Sequence, residues 1–240
     1  MIPAALAVLG GLLGAAAGSL VALAVERMPR DLPVLAHPFR CAACRGSLPG
    51  VARIPVAGAL LAGGACPACG APSLRRKAII EAATAASFAL VAWRFGVGFP
   101  TVAFLWYAAV FIAVFAIDLE HRLILNRMMY PAIVLAPVAA LMTGLSLPSS
   151  LLGGAIGFGT MYLLYVLARG GLGGGDVKLG LFIGLITGAE RVLWAMLAFS
   201  TLAGLVSALL LLTRKKGRRD YIPFGPFMVL GAVAALLRSW

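Results

Sequence analysis

A chain of 240 residues that is 62% hydrophobic and 12% charged, with a mean hydropathy of +1.02, is not an ordinary soluble globule, because such domains average about 25% charged. The composition is that of an all-α polytopic membrane protein, with length for about eight spans of about 20 residues each plus loops. The net charge of +12 could suit nucleic acid, but the basic residues lie between apolar runs. There they read as topogenic signals and anionic-lipid contacts, so the expected partner is the lipid bilayer and no nucleic acid.

In chain order, the first apolar run covers 4–25. No Lys or Arg occurs in the first 26 residues. The basic start of a cleavable signal peptide is thus missing, and 1–25 is expected to be a retained first span. Segment 26–77 follows as the one long non-spanning region. It is rich in Gly, Pro and Arg and poor in large apolar side chains, and a domain this small usually needs a metal or disulfides. Within it, Cys41-Ala42-Ala43-Cys44 and Cys66-Pro67-Ala68-Cys69 form two C-x-x-C knuckles separated by 21 residues. Two such knuckles complete the tetrahedral four-sulfur shell preferred by Zn²⁺ and leave no open coordination position, so the metal is expected to be structural. Gly46 and Gly70 follow the knuckles, where the chain is expected to turn around the ion. The alternatives are a redox C-x-x-C pair and spare thiols, although one redox motif would not require a duplicate.

The second run, 78–93, carries Glu81, and the third, 101–117, closes on Asp118. Runs at 128–147 and 149–168 come next, then the stretch Gly170–Gly175, Asp176 and a sixth run at 177–189. Only eleven residues separate Lys178 from Glu190, about 16 Å of helix against a hydrocarbon core of about 30 Å. That element is expected to be extended by its flanks or shielded inside the bundle. The last runs are 192–213 and 222–237. With the N-terminus outside, segments 26–77, 118–127, 169–178 and 214–223 hold 17 of the 20 basic residues. The positive-inside rule then puts these segments in the cytoplasm and both termini outside. Asp118 and Asp176 fall at cytoplasmic helix ends of similar depth, and the thiols face a compartment that keeps them reduced.

Only eight residues are acidic, and an ionised carboxylate near bilayer depth is costly unless paired, hydrated or functional. Asp118 could be an interfacial residue balanced by Arg122 at i+4. Gly173-Gly174-Gly175-Asp176 could be a flexible linker ending in a helix-capping Asp. Taken together, the two aspartates point to a pair sharing one proton, in which a neutral carboxyl donates to a scissile carbonyl while an ionised one activates water. Gly173 and Gly175 would let a substrate backbone approach, with Lys178 beside them. His37 and His121 have no nucleophile partner in sequence and read as a loop residue and a hydrated interfacial residue.

These residues resemble the prepilin peptidases, or type IV leader peptidases, which are G-x-G-D membrane aspartic proteases. The resemblance is carried by Gly18-Ser19, Arg27-Met28-Pro29, the tetracysteine loop with Ile54-Pro55-Val56, Glu81, Asp118 with Leu125-Asn126, Gly173–Lys178, and Ile222-Pro223-Phe224-Gly225-Pro226-Phe227. It implies that Asp118 and Asp176 are catalytic and that Cys41, Cys44, Cys66 and Cys69 bind zinc. It also implies a bacterial inner-membrane enzyme that cuts the short basic leader from prepilin or pseudopilin precursors at the cytoplasmic face. Many members with the tetracysteine loop also methylate the new N-terminus with S-adenosylmethionine. The organisation expected is thus 1–25 as a first span, 26–77 as a cytoplasmic zinc-binding loop and 78–240 as the bundle carrying the aspartates. The rival readings are a proton-coupled transporter or channel using buried aspartates, and a non-catalytic zinc-containing assembly protein.

Overall fold

The computed structural model describes residues 2–35, 40–41, 43–48, 50–168, 172–213 and 223–238. The expectations attached to His37, Gly170, Gly171, Ile222 and the basic segment 214–221 fall outside these residues. The described chain is helical, as its hydropathy requires, because backbone groups in lipid must find their partners within their own segment. The elements are α1 (Ile2–Arg27), α2 (Ala57–Leu61), α3 (Ser73–Phe95), α4 (Phe99–His121), α5 (Asn126–Met142), α6 (Leu147–Leu167), α7 (Gly174–Thr187), α8 (Ala189–Leu212) and α9 (Gly225–Leu237). Among the described residues there is no strand, only an isolated antiparallel bridge between Arg40 and Ser47.

Among the described residues, each of the eight apolar runs lies mainly on a helix. Five helices, α1, α3, α4, α6 and α8, are long and apolar enough to cross a membrane, while α5 and α9 are shorter apolar helices. The 14 residues of α7 reach about 21 Å, short of a hydrocarbon core of about 30 Å. Its solution is shielding: Val177, Leu179, Gly180 and Phe182 through Thr187 are buried, and α5, α6, α8 and α9 all pack on it.

The chain divides into two compact units, Met1–Ile117 and Asp118–Trp240. In the first, α1 and α3 pack as a hairpin along Gly10, Gly14 and Gly18. A Cβ on these glycines would lie 2.6 Å from Ala92 Cβ, 2.7 Å from Phe88 Cβ and 2.7 Å from Glu81 Cα. Only small residues allow helices this close in lipid, where packing rather than the hydrophobic effect drives association. The cysteine segment stands on this hairpin. It lies between the end of α1 at Arg27 and the start of α3 at Ser73. It also owns a small apolar centre, in which buried Leu74 is packed by Leu48, Ala62 and Ala78.

In the second unit the same device joins α6 to α7. A Cβ on Gly153 or Gly157 would fall 2.4 Å from Gly184 O or 2.3 Å from Gly180 O. The Ser150 hydroxyl donates to Leu185 O at 2.7 Å across this contact, and satisfies a buried polar group.

Candidate active site and cysteine centre

Asp118 sits in the last turn of α4, and the helix stops three residues later, at His121. Arg122 then takes φ 55°, its N–H still bonded to Asp118 O at 2.9 Å. Asp118 is only 2% exposed. Its Oδ2 accepts the Gly225 N–H at 2.9 Å, from the first residue of α9. Asp176 is buried in the first turn of α7. Its Oδ2 accepts the Gly173 N–H at 2.9 Å, while its own N–H donates to Gly173 O at 3.1 Å. Asp176 is thus the third residue of the helix reaching back to the N-cap residue, a place where a carboxylate is favoured.

Both aspartates lie in the second unit, within electrostatic reach of one another. Each carboxyl has one oxygen held by a backbone N–H, and its Oδ1 accepts no hydrogen bond from the described residues. The arrangement can polarise a carbonyl and activate a water in the same place.

The residues beside Asp176 also make contacts within the fold. Gly175 lies against the chain after α4, where a Cβ would fall 2.7 Å from Ile124 Cβ. Its missing side chain serves this packing. Lys178 donates to Asn126 Oδ1 and stands 4.8 Å from the centre of the Tyr130 ring, which ties the start of α7 to the start of α5. Gly174 alone faces open space. His121 lies 3.7 Å from Glu120 on the last turn of α4.

The cysteine centre is built from two copies of one turn. In the first, Cys41 N–H donates to Gly46 O at 2.9 Å and Arg45 N–H to Cys41 O at 2.8 Å; in the second, Cys66 N–H donates to Ala71 O and Gly70 N–H to Cys66 O, both at 2.8 Å. The left-handed position falls four residues after each leading cysteine, at Arg45 (φ 59°) and Gly70 (φ 69°). Gly46, expected to make the turn, instead lies beside Cys44, whose sulfur a Cβ would meet at 3.3 Å.

All four sulfurs lie within 4.8 Å of one another, with Cys41 and Cys66 buried. The Cys41–Cys69 and Cys44–Cys66 separations are 3.9 and 3.7 Å. A tetrahedral thiolate centre with bonds of about 2.3 Å places its sulfurs about 3.8 Å apart, so the donor set fits. The Cys66 thiol is lowered to about 7, first by the backbone N–H groups of Ala68 and Cys69. Cys69 is helped by the Ala71 N–H, yet the neighbouring Cys44, burial, Cys66 and Cys41 push it up to about 12.

A buried acid joins this centre to the hairpin. Glu81 on α3 is 1% exposed. It accepts the Ser19 hydroxyl of α1 on Oε1 and the Val56 N–H on Oε2 at 2.7 Å, with Lys77 Nζ 3.2 Å from Oε1. Val56 holds φ 59° there. Three separated motifs, Gly18-Ser19, Ile54-Pro55-Val56 and Glu81, therefore meet at one carboxylate. The signal in the sequence was an acid inside an apolar run. Arg27, 4% exposed, gathers the carbonyls of Pro33, Val34 and Arg40 at 3.3–3.5 Å, which ties the end of α1 to the chain leading into the first knuckle.

Comparison with known proteins agrees with these groupings. Residues 105–211 match the type IV leader peptidase family, and residues 12–95 match the bacterial peptidase A24 N-terminal domain. A Bacillus subtilis (strain 168) protein named prepilin leader peptidase/N-methyltransferase is 33% identical over 225 residues, covering 92% of this chain and 89% of its own. Proteins of the same name from Neisseria gonorrhoeae and Pseudomonas aeruginosa are 32% and 28% identical, covering 79% and 82% of this chain and 67% and 70% of theirs. No solved structure gives a significant match.

Proposed function

The chain belongs to the type IV leader peptidase family, and from that premise we propose that it is a membrane-embedded aspartic endopeptidase that removes the short basic leader of prepilin- or pseudopilin-like precursors. The observation that carries this reading is the meeting of buried Asp118 and Asp176, each with one oxygen held by a backbone N–H. One carboxylate takes a proton from water as its oxygen bonds to the scissile carbonyl carbon. The other carboxyl donates its proton to the carbonyl oxygen. The C–N bond then breaks as the leaving nitrogen is protonated, and the pair returns to its one-proton state. A precursor with a hydrophobic helix after its leader suits an enzyme whose surface is apolar, because that helix can lie against the bundle within the bilayer.

The four cysteines, Cys41, Cys44, Cys66 and Cys69, would hold a structural Zn²⁺, whose chemistry is to neutralise the thiolates and organise 26–77. The charge distribution favours an inner-membrane, multi-pass arrangement with this segment, Asp118 and Asp176 on the cytoplasmic side. Methylation of the new N-terminus with S-adenosylmethionine comes from the relatives' shared name and belongs to the same proposal. A transporter using the aspartates as a proton relay is disfavoured by family membership.

The test is to express Asp118→Asn and Asp176→Asn separately with a pilin-like precursor and measure the mass of the product's N-terminus. Each variant should insert at normal abundance and leave the leader uncut. Normal cleavage by either one overturns the reading.

A further inference from the structure

The carboxyl of Asp118 is held by a main-chain group 107 residues away in sequence, at a position with no side chain. Gly225 is the first residue of α9, and a first-turn N–H has no partner inside its own helix. Here that orphan donor meets Asp118 Oδ2 at 2.9 Å. A Cβ on residue 225 would lie 2.8 Å from the same oxygen and 3.1 Å from both Cβ and Cγ of Asp118. Residue 225 has no left-handed φ, so glycine is required here for space and not for backbone conformation. The approach is also anchored: Phe224, just before it, packs edge-on against Phe199 of α8 with ring centres 6.1 Å apart. Gly173 makes the equivalent bond to Asp176 with more room, since its Cβ would stand 3.3 Å from Oδ2.

We propose that Gly225 is a positioning residue for the catalytic pair, its N–H fixing Asp118 Oδ2 so that Oδ1 is the oxygen presented to water and the shared proton. This rests on the peptidase reading above. Adding a methyl group at residue 225 forces the Asp118 carboxyl back from 2.8 Å toward the 3.4 Å of an ordinary contact. Misplacing a reacting group by about 1 Å costs about 100-fold in rate.

Kinetics of the purified full-length protein on a synthetic precursor, with a basic leader, a glycine and a hydrophobic helix, provide the test. Gly225→Ala should lower kcat by about 10- to 20-fold with KM within about twofold, because the substrate still binds and only the reacting carboxyl is displaced, by about 0.6 Å. Gly173→Ala should lose less than about tenfold, in keeping with its wider gap. Gly231→Ala, whose Cβ would strike Ala195 O at 2.5 Å, should lower thermal stability but keep kcat per folded molecule. A second readout does not require the alanine variant to fold. In Asp118→Ala the residue 225 amide should exchange with deuterium at least about tenfold faster than in the wild type, since it loses its one acceptor. Wild-type kcat in Gly225→Ala, or unchanged exchange in Asp118→Ala, overturns the proposal. Cleavage by Asp118→Asn would instead remove the peptidase reading on which it stands.

Discussion

Removing the Glu81 carboxylate should release the cysteine segment from its hairpin without unfolding the hairpin. Val56 holds φ 59°, a conformation that costs a β-branched residue about 1–2 kcal/mol. Its N–H bond to Glu81 Oε2 at 2.7 Å is charge-assisted and contributes about 1.5–3 kcal/mol. In Glu81→Ala the strain remains and the bond is lost. A loss of about 2 kcal/mol raises the open population of the 54–58 turn about 30-fold, since about 1.4 kcal/mol is a factor of ten. Glu81→Gln keeps an acceptor for Val56 and should stay within a few-fold of the wild type. Limited proteolysis reads this directly, because cleavage follows the open population when opening and closing are fast. The rate of cutting within 50–61 should rise about 30-fold in Glu81→Ala while cutting elsewhere is unchanged. Equal cutting in wild type and Glu81→Ala would refute the latch, and equal acceleration in both variants would refute the role given to the hydrogen bond.

Three further outcomes are expected. Purified wild type should carry about one zinc per chain by elemental analysis, and Cys66→Ser should lose it, loosen residues 40–75 and weaken leader cleavage without abolishing it. Gly184→Ala, whose Cβ would stand 2.1 Å from Gly153 O, should destabilise the second unit by about 3 kcal/mol or more, as overpacking against backbone does, visible as a lower midpoint in a thermal melt in detergent. Cysteine-accessibility mapping should place residues 120–125 and Gly174 on the cytoplasmic face and Gly98 and Leu147 on the other. Finding 120–125 and Gly174 on opposite faces would separate the aspartates by a membrane thickness and end the dyad.

The helices were legible in the sequence, because an apolar run in lipid can satisfy its backbone only by coiling, and each of the eight runs lies mainly on a helix among the described residues. The cysteine spacing was equally local, since each knuckle is a single turn that carries its own hydrogen bonds. The two aspartates stood out because charge is rare in such a chain. Tertiary structure alone decided which groups serve them. The contacts of Gly175 with Ile124 and of Lys178 with Asn126 and Tyr130 are tertiary, and the partner of Asp118 comes from the start of α9. Glu81 joins Ser19 and Val56 across 62 and 25 residues. Hydropathy specifies that a segment is a helix, but not which helix lies beside it. That choice is made by glycine faces only a few ångströms apart, and it is packing at this range that determines which backbone N–H reaches a buried carboxylate.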